Sequence, residues 1–234
     1  MRKTMKTKSI LVFAVVFVVS ATSVKADPVP ISNASFESPS GSAPNGLFDP
    51  ANGSIGAWEY TRTGALPATL TDVTFGSWGN ATDGSNAATL TFLAGVAAEV
   101  SIYQNLGTSF LSNSLYTLSF DAGQASVLSL LSGASASIYA NSAPVATLSG
   151  SSLVSLLDLN GNLTGFTLNF TTGETVPSGD IGIGFSAGGV AEVIGSGLVI
   201  DNVRLNVSPV PEPGTAMLIG LTGMWLLTNR RRRM

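Results

Sequence analysis

From Ile31 to Val207, hydrophobic and polar positions alternate in short runs broken by Gly, Asn, Ser and Asp. The stretch "LYTLSFDAG" (115–123) sets Tyr116, Leu118 and Phe120 on one side and Thr117, Ser119 and Asp121 on the other. "TGFTLNFT" (164–171) repeats the arrangement with Phe166, Leu168 and Phe170, and "ATLTFL", "AEVSIYQNL", "SASIYA" and "IGIGFS" follow it. A period of two built from β-branched and aromatic residues marks a strand with one buried face. About ten such strands are predicted. Asp83-Gly84 and Asn160-Gly161 are turn dipeptides of the hairpin kind. "VLSLLSGAS" and "SSLVSLLDL" could each hold one helical turn. No strand–helix–strand alternation and no fixed-period repeat is present, which argues against parallel α/β, solenoid and propeller folds. The predicted fold is all-β: an antiparallel two-sheet β-sandwich of the jelly-roll type.

The two ends break this pattern. "MRKTMKTK" is basic, Ile10 to Val19 is apolar, and Val24 and Ala26 stand at the −3 and −1 positions of a cleavage site. That order is a secretory signal peptide, its helix too short to span a bilayer. At the other end the apolar run Ala216–Thr228 is thirteen residues. As a helix it reaches about 20 Å, short of a bilayer core of about 30 Å. Four arginines, Arg230, Arg231, Arg232 and Arg233, follow it and resist translocation. The chain thus divides into a signal peptide (1–26), a β-sandwich domain (27–207), a Pro-rich linker (208–213), and a short hydrophobic helix with an Arg cluster (214–234).

Charge sharpens the picture. Between Asp27 and Ser208 stand thirteen acids against Arg62 and Arg204, a formal −11. A lysine-free acidic body does not track a phosphate backbone, so nucleic acid is excluded as a partner. With no His and no Cys, the usual nucleophilic triads, thiolate chemistry and most zinc sites are excluded too. No phosphate loop, serine elbow or nucleotide fingerprint appears.

Pro211-Glu212-Pro213, the short glycine-containing helix and the terminal arginines together resemble the PEP-CTERM sorting signal of Gram-negative bacteria. The resemblance covers about 24 residues. It implies export by the secretion translocon and signal peptidase, then a transient inner-membrane hold. An exosortase-type enzyme would process the tail, with the cell surface or extracellular matrix as destination.

In the body, "ISNASFESP" (31–39), "GAWEY" (56–60), "LYTLSFDAG" and "LVIDNVRLNV" (198–207) together resemble galactose-binding-like jelly rolls, a group that includes carbohydrate-binding modules. In such modules a structural calcium often ties the first strand to the last, which implies Glu37 and Asp201 as its side-chain ligands. The residues leave other readings open. Val203, Leu205 and Val207 share a face, and a period of two puts Asp201 on that face. A carboxylate in phase with the core needs backbone donors, an ion pair with Arg204, or a metal. Trp78, in the polar loop "GSWGNATDGSN", and Trp58 and Tyr60 are candidates to stack on a sugar. Of these, Trp58 suits the core better and Trp78 is the better exposed candidate.

The expectation is therefore an exported, non-catalytic surface or matrix protein whose sandwich binds carbohydrate such as exopolysaccharide. The alternatives are a purely structural surface protein with no specific ligand, and a glycoside hydrolase. The latter needs two facing carboxylates; Glu37, Glu59, Glu99, Asp121 and Asp201 offer pairs, but no spacing marks one.

Overall fold

The computed structural model describes residues 25–42, 52–64, 71–92, 97–125, 133–149, 161–190 and 196–210. The signal segment, the sorting motif from Pro211 to Pro213 and Arg230 to Arg233, and the tail helix lie outside these residues, as do most of the two stretches weighed as helical turns. No helix among the described residues is long and apolar enough to cross a membrane.

Among the described residues, thirteen strands form two antiparallel sheets. The seven-stranded sheet holds β1 (Asp27–Val29), β2 (Gly41–Ser42), β5 (Thr71–Ser77), β6 (Asn86–Phe92), β8 (Ser114–Gln124), β11 (Thr164–Thr171) and β13 (Ser196–Pro209). Its order is β11-β8-β13-β6-β5-β2, with β1 also paired to β13. The six-stranded sheet holds β3 (Asn52–Ile55), β4 (Trp58–Gly64), β7 (Ala97–Ser109), β9 (Gly133–Ala140), β10 (Ala143–Ser149) and β12 (Asp180–Val190). Its order is β10-β9-β12-β7-β4-β3. The all-β, two-sheet expectation holds.

The alternation read from the sequence is the alternation of burial. In β8 the residues Tyr116, Leu118, Phe120 and Ala122 are buried and those between them are half-buried. Phe166 of β11 sits opposite Phe120, their rings stacked at 5.6 Å. Between the sheets an aromatic cluster forms the centre of the core. Phe36 packs on Trp58 at 5.3 Å and on Phe75 at 4.8 Å, and Phe185 bridges Trp58 and Phe120. Burying each such side chain contributes about 1.5–3 kcal/mol, so this cluster holds the two layers together.

One irregularity positions everything that follows. In β13, Asp201 pairs with Asp121 of β8, yet Arg204 pairs with Ser119, so one extra residue is inserted between them. Asn202 takes it up at φ 54°, a left-handed conformation that Asn tolerates better than most residues. The bulge resets the phase of the strand. Val203 and Leu205 stay in the core, but Asp201 turns to the outer face of the seven-stranded sheet, beside Asp121. The period-two argument that put Asp201 in phase with Val203 fails for this reason: it assumed an unbroken strand.

Candidate active site

The bulge lies beneath the loop 78–85, which joins β5 to β6. The loop is closed by its own backbone, with Trp78 N donating to Ser85 O at 3.0 Å and Ala81 N to Trp78 O at 3.1 Å. Asp83-Gly84, expected as a tight hairpin turn, instead sits within this wider loop. Its amides point inward and are collected by acids. Asp201 Oδ2 accepts from Thr82 N at 2.7 Å and Asp83 N at 2.9 Å, and Oδ1 from Asn202 N at 2.7 Å. Glu37 Oε1 accepts from Ser85 N at 2.6 Å and Asn86 N at 2.7 Å. Gly84, at φ 91°, is obligatory here because any Cβ would run into the Glu37 carboxylate. Asp201 is fully buried, and each charge-assisted bond to an amide is worth more than a neutral one. The loop is therefore fastened from two sides by two carboxylates.

Asp121 takes its hydrogen bonds on one oxygen and leaves Oδ1 without a donor among the described residues. Its Oδ2 accepts from Thr82 Oγ1 at 2.6 Å and from Asn202 Nδ2 at 2.9 Å. The Thr82 hydroxyl also lies 3.3 Å from Asp201 Oδ2, so one hydroxyl stands between the two carboxylates. Asp121 Oδ1 overlies Gly165, its cross-strand neighbour in β11, where a Cβ would stand 3.3 Å away. Arg204 Nη2 comes within 3.7 Å of Asp83 Oδ2, both well exposed, so that pair adds little.

The residues expected to stack on sugar are placed differently. Trp58 is wholly buried and donates Nε1 to Asn33 O at 3.2 Å. Tyr60 is buried at 4% exposure, with the Arg62 guanidinium 5.3 Å from its ring centre. Neither offers a ring face to a ligand, because the inward phase of β4 fixes both in the core. Trp78 is half-buried and is pinned to the start of β11 by Nε1 donating to Gly161 O at 3.2 Å, as Asn80 Nδ2 also does.

Glu37 and Asp201, expected as calcium ligands, do meet at one loop, but from opposite sides and each on N–H donors. Amide protons and a cation compete for the same lone pairs. Among the described residues no group of three or more acids is arranged to hold a metal ion. The bonded oxygens of both acids accept N–H donors, and no step is assigned to a metal. Thr82 and Asn202, which organise the pair, were not singled out in the sequence. The signals for them were weak: the Asp83-Gly84 turn and the Asp-Asn-Val string at 201–203.

Comparison with known proteins decides the family. A family model described as HpiC1 cyclase matches residues 27–206, nearly the whole sandwich. The chain belongs to this HpiC1-like family. The expectation of a non-catalytic protein is thereby overturned, since the family is one of cyclases. Two solved structures from Fischerella sp. TAU share the fold of this family member. One is the Stig cyclase Fisc in complex with (3Z)-3-(1-methyl-2-pyrrolidinylidene)-3H-indole, at 21% identity and TM-score 0.53, covering 80% of this chain and 100% of that one. The other is a cyclase in complex with 4-(1H-indol-3-yl)butan-2-one, at 20% identity and TM-score 0.54, with the same coverage. At such identities they show the fold alone. A carbohydrate-binding module in complex with beta-1,4-galactotriose also lies among the structural neighbours, at 16% identity and TM-score 0.43, covering 75% of this chain and 95% of that one. No curated protein sequence matches.

Proposed function

We propose that the protein is an exported acid–base enzyme of the cyclase family, with Asp121 as its proton-handling group. The observation that carries the reading is the Asp121–Asp201 pair, two carboxylates side by side in adjacent strands of a chain whose family is one of cyclases. A ring closure that keeps all its atoms needs one proton delivered and one removed. Protonating a carbon–carbon double bond forms a C–H bond and leaves a carbocation. An internal nucleophile closes the ring on that cation and then loses a proton, which restores neutrality. Asp121 Oδ1 faces the open space above Gly165, where it can give the first proton and take the last. Asp201 positions Thr82 and, through its hydroxyl, Asp121. Negative carboxylates beside a developing cation also favour it electrostatically.

The Fischerella proteins were solved with indole-bearing compounds, so a 3-alkenyl indole is the first substrate to try. Mature protein in D2O should yield an isomeric ring-closed product carrying one new deuterium. Absence of product across a set of alkenyl indoles, alkenyl phenols and polyenes would refute the enzyme reading.

On the same reading residues 1–26 are removed on secretion. Pro211, Glu212, Pro213 and the four terminal arginines address the protein to an exosortase-type enzyme at the inner membrane. Mass spectrometry of the exported protein should find Asp27 as the first residue and no Arg230–Arg233; an intact C-terminus speaks against processing.

A further inference from the structure

The outer face of the six-stranded sheet carries an aromatic shelf that the proposed chemistry does not use. Tyr103 of β7 and Tyr139 of β9 reach across β12 from either side, ring centres 5.4 Å apart and edge to face. β12 offers only Gly182 and Gly184 between them. At Gly182 a Cβ would collide with the Tyr103 ring edge and hydroxyl together, so that ring packs directly against the strand where glycine leaves room. Both rings are half-buried. The Tyr103 hydroxyl donates to Asn141 O at 2.9 Å, which fixes the ring's orientation. An oriented, half-buried ring on an outer sheet face leaves part of its surface to solvent.

At Asn141 the shelf runs into an open cleft of about 690 Å³ at the β9–β10 hairpin, floored by Ala143, Val145 and Pro177 and edged by Asn141, Ser142 and Ser178. From β9 to β7 the shelf is about 10 Å wide, two strand spacings. Charge around it has one sign. Glu59 stands directly opposite Tyr103 in β4, and Asp180 begins β12. The two arginines of the described sandwich lie elsewhere: Arg62 is buried and Arg204 is in the other sheet.

We infer that Tyr103, Tyr139 and the Asn141 cleft form a binding surface for a neutral polysaccharide, separate from the Asp121 site. A flat phenol ring matches the C–H face of a pyranose. Amide and hydroxyl groups at the cleft edge supply hydrogen bonds to ring hydroxyls, the mix of apolar floor and few polar groups that small-ligand sites show. Glu59 and Asp180 select against uronate and sulfated chains, so the ligand is neutral. The surface would hold the exported enzyme in a glycan matrix. It is independent of the catalytic reading, since the shelf lies on the six-stranded sheet and Asp121 and Asp201 on the seven-stranded one.

The test is calorimetric titration of the mature protein with neutral cello-, xylo- and galacto-oligosaccharides, with oligogalacturonate as the acidic counterpart. Neutral oligosaccharides should bind and oligogalacturonate should not. Tyr103→Ala should weaken binding about tenfold, the scale of one lost stacking contact, while Tyr103→Phe keeps it. Glu59→Lys should admit oligogalacturonate without a change in fold by circular dichroism. Absence of any neutral-glycan binding, or binding indifferent to Tyr103→Ala, overturns the inference.

Discussion

At the scale of residues, the molecule spends its scarce acids on amides. Asp201 takes two loop N–H groups and one of its own strand with no exposure to water. Removing it leaves those donors buried and unmatched, at about 1–3 kcal/mol for each group truly orphaned. Asp201→Ala should therefore lower the melting temperature by several degrees, whereas Glu37→Ala, whose bonds are more exposed, should lower it less; thermal unfolding by circular dichroism measures both. Tyr103 gives a second check. Burial first, then the charges of Glu59, Tyr139 and Asp180, raise its pKa above the ordinary tyrosine value. A raised folded value means that the native state keeps the proton longer than the unfolded chain. Its contribution is present below pH about 10 and is lost as pH climbs through the folded value. Stability of the native protein should fall above that pH, and Tyr103→Phe should flatten the fall in denaturant titrations. Residue identity alone pointed to Asp201 and to the aromatics, but it could not tell a core tryptophan from a binding one. Trp58 and Trp78 differ only in which strand phase or loop receives them.

At the scale of elements, period-two patterning placed the β8, β11 and β12 faces correctly because those strands are continuous through their buried runs. It failed at β13, where a single inserted residue reverses the phase. Nothing in "LVIDNVRLNV" announces a bulge except an Asn able to sit at positive φ. The clamp loop was invisible for a related reason: its partners lie 39 to 119 residues away in sequence. Deleting Asn202 makes β13 a regular strand in which Asp201 stays opposite Asp121 and Arg204 opposite Ser119, so Asp201 keeps its outward phase. What is lost is the Asn202 N–H bond to Asp201 Oδ1 and the Asn202 Nδ2 bond to Asp121 Oδ2, about 1–3 kcal/mol for each group left buried and unmatched. The deletion variant should fold with a lowered melting temperature by circular dichroism, while Asn202→Gly, which suits the left-handed conformation and keeps the N–H, should lose less. A deletion variant as stable as the wild type would mean that the bulge is dispensable.

At the scale of the whole molecule, the fold was legible and the activity was not. Alternation and turn residues specify a sandwich, but a sandwich serves binding modules and enzymes alike. The carboxylates that pair are 80 residues apart in sequence, so no spacing could mark them. Family membership supplies the class of activity, and the geometry supplies the group to test. The most direct measurement is turnover of a 3-alkenyl indole in D2O by wild-type protein and by Asp121→Asn, which keeps the side chain's shape. The account predicts a ring-closed, singly deuterated isomer from the wild type and at least about a hundredfold less from the variant, the usual scale for losing a general acid, with unchanged melting temperature. Equal turnover by Asp121→Asn would contradict it.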